Sequence, residues 1–357
     1  MSKGLAFLSK ITTLTKYLVI IFLLLTACVW WGVVTAEVIS GATLGNLTGP
    51  VDTHFMPDHH LYDVVWGNEK FVAVGSSAFD ETEVLLSADG LKWERVSLGK
   101  PSRPLGLSSD SAGTLYGVTW NGSTFVTVGE RVLASSDGKS WTVTAAFATC
   151  VFSRVIAQGG MFVAVGGDRG RGCITTSADG RVWTERTSGI EGQVGVLSGI
   201  TWNGATFIAV GRADLGRLGV SSVLLSSANG TTWSRQRGPA DFLVDLAWGS
   251  GVFVAVGGVS RQGALFTSPD LQEWTDRTPP RSQPLRAVLW SGSLFVAVGV
   301  NGTILTSTDG TIWSERKPGT DHDLLGVAYN GSLFVVVGDG IILTSQDGEQ
   351  WRTRGGN

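Results

Sequence analysis

The stretch Thr306–Trp313, TSTDGTIW, decides how this chain is read. Its pattern Ser-x-Asp-Gly-x-x-Trp recurs as SADGLKW (87–93), SSDGKSW (135–141), SADGRVW (177–183) and SANGTTW (227–233). It returns as SPDLQEW (268–274), STDGTIW (307–313) and SQDGEQW (345–351). The seven copies have Trp-to-Trp spacings of 48, 42, 50, 41, 39 and 38 residues. A mean period near 43 matches a unit of four short strands.

The text between the boxes supplies those strands. A phrase Leu-x-x-Val-x-Trp appears as LYDVVW (61–66), LSGITW (197–202) and LRAVLW (285–290). A tight turn such as Asn121-Gly122 or Asn330-Gly331 follows, the strongest short hairpin signal. Next comes Phe-Val-Ala-Val-Gly, as at 71–75, 253–257 and 295–299, apolar at every position before its glycine. Such a strand is expected to be buried on both faces. A further apolar phrase, such as TILTS (303–307), leads into the box. These are strands A, B, C and D of one blade, and the sequence predicts an all-β, seven-bladed propeller of four-stranded antiparallel blades over 61–357.

The box is then the turn between C and D. Its acid accepts backbone N–H groups, its glycine takes a φ other residues avoid, and its tryptophan seals the blade. Asp89, Asp137, Asp179, Asp270, Asp309 and Asp347, with Asn229 in the fourth copy, are therefore structural. Seven equivalent positions spread round a ring cannot converge on one substrate. Leu271 stands where the other copies have glycine, so strain is expected in blade 5. The tryptophans are all accounted for: of fourteen, seven end boxes, five end A strands and two lie near the N-terminus.

This repeat resembles the Asp-box (BNR) repeat of sialidase-type propellers and of the photosystem II assembly factor family, across all seven blades. The boxes here are one residue shorter than the usual Ser-x-Asp-x-Gly-x-x-Trp. The resemblance implies a propeller fold and leaves two functional directions: an assembly or protein-binding scaffold, or a glycan-binding or sialidase-like glycoside hydrolase. Against the hydrolase, the Phe/Tyr-Arg-Ile-Pro motif is missing, and Phe152-Ser153-Arg154-Val155 does not reproduce it. Beyond the leader only Tyr62, Tyr116 and Tyr329 remain as tyrosine nucleophiles, none with an evident glutamate partner. No catalytic residue and no cofactor is assigned.

The first 36 residues stand apart from the repeats. They hold Lys3, Lys10 and Lys16, no acid, and an apolar run from Tyr17 to Val34. Val34-Thr35-Ala36 suits signal-peptide cleavage, Leu25-Thr26-Ala27-Cys28 suits lipid modification of Cys28, and the run is just long enough for a membrane anchor. All three readings place the rest outside the cytoplasm, in the periplasm or cell envelope. Residues 37–60 read as a linker, although Glu37 to Ser40 could add a strand to a blade edge. Past residue 36 there are 24 basic and 30 acidic residues, net −6, which disfavours a nucleic-acid partner.

Strands that alternate direction put A–B and C–D turns on one face, and B–C and D–A loops on the other. Nearly all length variation falls on the second face, where binding residues usually sit. The long segments there include 76–82, 94–114, 167–172, 184–196 and 212–222. Strand A lines the central channel, and its third position reads Asp63, Gly117, Arg154, Gly199, Asp245, Ala287 and Gly326. Asp63, Arg154 and Asp245 break the rule of small residues. They form either an Arg–Asp interaction in a solvated channel or a polar-ligand site at the channel mouth. His54, His59, His60 and His322, with Asp58, Asp321 and Asp323, fall near the junction of blades 7 and 1. Their spacing matches no recognised metal site, and no metal is expected. Cys150 and Cys173 are the cysteines left for a disulfide. Strands two apart lie about 10 Å from each other, beyond easy bridging, unless the loop holding Cys150 bends back.

Overall fold

In the computed structural model the described residues are 50–51, 59–77, 82–98, 113–168, 170–188, 195–214 and 220–354. They form seven antiparallel sheets, each running A-B-C-D in sequence order. The A strands are His59–Gly67, Leu115–Trp120, Val151–Gln158, Leu197–Trp202, Leu243–Gly249, Leu285–Trp290 and Leu324–Tyr329. Each pairs with a B strand beginning at or just before the phenylalanine of the FVAVG phrase.

Burial explains why this phrase recurs. Phe71, Val72, Ala73 and Val74 are wholly buried, as are Phe295, Val296, Ala297 and Val298. Side chains on the two faces of a B strand enter different cores. Seven apolar clusters lie one between each pair of adjacent blades, and the last joins Leu61, Phe71 and Leu85 of blade 1 to Val335, Val337 and Ile342 of blade 7. Each large apolar side chain so buried contributes roughly 1.5–3 kcal/mol. The ring is thus held by the same contact repeated seven times.

The glycine of FVAVG has a second cause. In every blade strand A carries one extra residue, with register shifts at Leu61/Asp63, Leu115/Gly117, Phe152/Arg154, Leu197/Gly199, Leu243/Asp245, Leu285/Ala287 and Leu324/Gly326. This bulge brings the carbonyl just before its first leucine or phenylalanine over strand B. A Cβ on Gly75 would overlap His60 O, and one on Gly299 would overlap Pro284 O. The same overlap recurs at Gly129, Gly166, Gly211, Gly257 and Gly338.

The boxes form C–D turns. In the copy at 307–313, Asp309 Oδ1 accepts the N–H groups of Thr311 (2.7 Å) and Ile312 (3.1 Å). Ser307 Oγ donates to Asp309 and accepts the Gly310 N–H at 2.9 Å, while the Trp313 indole donates to Gly310 O. The serine's part was not read from the sequence. Asn229 makes the same two backbone bonds, to Thr231 and Thr232. Leu271 adopts the left-handed φ of 68° and is buried in the cluster between blades 4 and 5. Its box is also the one whose indole N–H, on Trp274, has no partner; the other six indoles all donate to the box glycine.

Three features differ from the sequence expectation. The described parts of the B–C segments of blades 3 and 4 are ladder rather than loop, because the strands continue pairing past the glycine: Gly167↔Gly172, Asp168↔Arg171 and Ala213↔Ser221. The extra edge strand is Pro50–Val51, within the segment read as linker, paired with Glu94 and Trp93 of blade 1; residues 37–40 lie outside the described residues. The first and last blades also meet by backbone, through a bridge from His60 to Asp339 and a bond from Gly340 N–H to His59 O.

Two outcomes follow from the boxes. Ser307→Ala leaves the buried Gly310 N–H without an acceptor, and denaturant unfolding should show a loss of about 1–3 kcal/mol. The turn acids should also make the fold acid-sensitive. For Asp137, Asp179, Asp270 and Asp347 the backbone N–H bonds hold the carboxyl below its ordinary value of 3.8. In Asp309 the Thr311 hydroxyl leads and the backbone bonds follow, and in Asp89 burial opposes the bonds but is outweighed. An acid depressed by folding stabilises above its unfolded value and loses that contribution as pH falls toward the folded one. Stability measured against pH should therefore be flat with respect to these groups above roughly 4 and fall below it. Asn229→Asp should steepen that fall; an unchanged slope would disprove this assignment.

Candidate functional site

The bulge decides which side chains reach the centre of the ring. Bulges re-aim the side chains beside them, and here the residue after each bulge is the third residue of the A-strand phrase. Asp63, Arg154 and Asp245 come together there. Arg154 Nη1 lies 2.7 Å from Asp63 Oδ1, and Nη2 lies 3.0 Å from Asp245 Oδ2. Both aspartates are buried, and the arginine side chain is 15% exposed.

Glycines make this cluster fit. A Cβ on Gly199 of blade 4 would stand 2.7 Å from Asp245 Cα, one on Gly117 3.0 Å from Arg154 Cα, and one on Gly326 2.9 Å from Asp63 Cα. Each charged residue therefore sits beside a glycine of the preceding blade. The small and charged residues at this position are one pattern, not a rule with exceptions.

Each carboxylate also ties its own blade to the next. Asp63 accepts the N–H of Val64 and, at 3.0 Å, that of Val118 in blade 2. Asp245 accepts Val288 N–H of blade 6 at 3.1 Å. Burial pushes the Asp245 carboxyl above its usual range, against the pull of Arg154 and the Val288 N–H. Burial lowers and the two aspartates raise the Arg154 guanidinium; the aspartates win, so it stays protonated. Beside the cluster lies a cavity of about 340 Å³, lined also by Gln158, Trp248 and Trp290 near the A–B turns.

At the other end of strand A, the bulged residues are Tyr62, Tyr116, Ser153, Ser198, Val244, Arg286 and Leu325. All seven are half-buried. They stand beside the ends of the B strands, on the face that carries the B–C and D–A segments. The Tyr62 and Tyr116 rings lie 5.0 Å apart. Sequence reading passed over this set, because an extra residue in an apolar phrase leaves no mark; the signal was the glycine facing it.

The histidines serve the junction of blades 7 and 1. His60 Nδ1 is 2.8 Å from Asp339 Oδ1, and His322 Nδ1 is 2.7 Å from Asp339 O. His59 pairs with Glu83, which also binds Arg95. Asp323 accepts Asn301 N–H. Among the described residues no group of three or more His, Cys, Asp and Glu is placed to hold a metal; His54, Asp58 and Cys28 lie outside them. A disulfide joins Cys150 to Cys173 with Cα atoms 6.3 Å apart. Cys150 lies just before strand A, and Cys173 is opposite Gly166 of the intervening strand, so no side chain at that position blocks the crossing.

The chain is a seven-bladed β-propeller. A family model described as the DUF6242 beta propeller domain matches residues 246–356, the last three blades. No curated protein matches the chain. The solved structure of YCF48 bound to D1 peptide is 17% identical, with a TM-score of 0.60, over 85% of this chain and 96% of that one. YCF48 from Cyanidioschyzon merolae is 15% identical with a TM-score of 0.59, over 82% and 98%. The WD40 beta propeller domain of Doa1 is 12% identical with a TM-score of 0.55, over 85% and 94%. At such identities the likeness is one of fold, and a fold hosts many functions.

The ion cluster makes its own prediction. Arg154→Met should cost about 3–5 kcal/mol in chemical denaturation, because it leaves two buried carboxylates uncompensated. Adding Asp63→Asn and Asp245→Asn, which remove the charges but keep an acceptor for the Val64, Val118 and Val288 N–H groups, should recover part of that loss.

Proposed function

We propose that this propeller is a non-catalytic scaffold that binds another protein through the face carrying the bulged residues, and that it works outside the cytoplasm in the cell envelope. The observation that carries the reading is the half-exposed ring of Tyr62, Tyr116, Ser153, Ser198, Val244, Arg286 and Leu325. Tyr62, Tyr116 and Arg286 within it are of the residue types enriched at protein-binding hot spots. A ring across seven blades offers a broad surface rather than a pocket for one small substrate. YCF48, a propeller of similar fold, is described as bound to a D1 peptide, which supports a peptide or protein as the kind of partner.

The chemistry of the acids supports the non-catalytic part. The box carboxylates are spent on turn N–H groups. Asp63 and Asp245, the pair a glycoside hydrolase reading would use, both hold Arg154 and a neighbouring blade. Arg154 is itself engaged with them, unlike a guanidinium held ready for a substrate carboxylate. The apolar leader with its lysines and the Cys150–Cys173 disulfide support export, since disulfides persist in oxidising compartments.

Cross-linking capture from envelope extract tests this. A partner bound by the full chain should be lost by at least about tenfold when Tyr62, Tyr116 and Arg286 are replaced by serine. Ser293→Arg, on the A–B turn face, should leave capture unchanged. Equal capture by both variants, or robust turnover of glycosides by purified protein, would overturn the reading.

A further inference from the structure

The channel cavity presents a charge problem that its own residues do not solve. Its charged lining consists of Asp63, Arg154 and Asp245. Two carboxylates and one guanidinium sum to one net negative charge when all are ionised. A buried net charge is costly and calls for either a proton or a counterion. The rest of the wall includes Val155, Ile156, Leu289, Trp248 and Trp290.

The hydrogen bonds narrow the class of counterion. Asp63 already accepts from Val64, Val118 and Arg154, and Asp245 from Val288 and Arg154. A hard inorganic cation needs several oxygen ligands at short range, and these carboxylates have most of their lone pairs committed. A cation with no N–H donors to satisfy needs none. Its charge acts through space on the cluster, while its methyl groups pack on aliphatic and indole walls, as aromatic-lined sites for quaternary ammonium do. About 340 Å³ lies within the range of small-molecule pockets.

We propose that the channel cavity binds a small quaternary ammonium group, held by the net charge of the Asp63–Arg154–Asp245 cluster and by the walls around Trp248 and Trp290. The cavity runs from the cluster toward the A–B turns and its lining includes none of the seven bulged residues assigned to a protein partner, so the two readings stand or fall separately. Proton and cation compete for the same excess charge. The groups facing Asp245 are Arg154 and Asp63, and Arg154 stays charged throughout. Asp245 is accordingly the group that takes the proton, and binding should strengthen as pH rises through its titration.

Calorimetric titration of the full chain with choline, beside its uncharged analogue with carbon in place of nitrogen, tests the site. Choline should bind at least about tenfold more tightly than the analogue, and progressively more weakly as pH is lowered. Asp245→Asn should abolish that preference. Trp290→Leu, which keeps the charge, should weaken choline without removing its advantage over the analogue. Equal affinity for choline and the analogue, no binding by the wild type, or displacement of choline by equimolar potassium would each overturn the proposal. Because charge preference and pH dependence are read on the wild-type protein, the proposal remains falsifiable if a variant fails to fold.

Discussion

The close passage of one backbone over another governs this molecule. In each blade the carbonyl before the first leucine or phenylalanine of strand A lies where a Cβ of the B-strand glycine would be. Without a side chain there, strand A can take its extra residue and still pair with strand B. The bulge then determines what faces the axis. It brings Asp63, Arg154 and Asp245 into one cluster and leaves Tyr62, Tyr116 and Arg286 half-exposed at the other face. A glycine that looks like the end of a strand is therefore the condition for both candidate sites.

Much of the fold was legible because it repeats. FVAVG is apolar on both faces, and only a strand flanked by two neighbours can use that. The box acid and indole were legible as turn chemistry, and the strain at Leu271 falls where glycine is missing, at φ 68°. What repetition hides is anything that happens in every copy. The bulge is present seven times, so no blade stands out from another. The box serine is likewise constant, and its bond to the glycine N–H appears only in coordinates. Conversely, the three charges of the channel were visible as departures, while the glycines that accommodate them were visible only as the background.

Long-range contacts were illegible for a different reason. His60 and Asp339 are 279 residues apart, and nothing in either local sequence names the other. The disulfide shows the same limit at shorter range. Strand spacing alone argues against bridging Cys150 to Cys173, yet Cys150 lies just before its strand, and glycine stands between the two positions. A spacing rule for residues inside a ladder does not bind a residue just outside it.

Ring closure is where these threads meet. Among the described residues no strand is shared between the first and last blades, so the contact that holds every other pair must hold these two as well. Here the apolar cluster between blades 7 and 1 matches the others in composition, and the backbone tie repeats as well: Gly302 N–H donates to His322 O between blades 6 and 7 as Gly340 N–H donates to His59 O between blades 7 and 1. His59 and His60 extend strand A beyond Leu61, and this extension reaches the B–C hairpin of blade 7 through backbone bonds and the His60–Asp339 pair. Asp63 then passes the tie on to blade 2 and to Arg154 of blade 3. The entry of the chain into the ring is thus tied to blades 7, 2 and 3 at once. That location is consistent with entropy: the seam joins segments farthest apart in sequence, so its closure costs more chain freedom than any other blade contact. Polar bonds at the junction, of the kind that also joins Gly302 of blade 6 to His322 ahead of blade 7, add to the apolar contact in offsetting that cost.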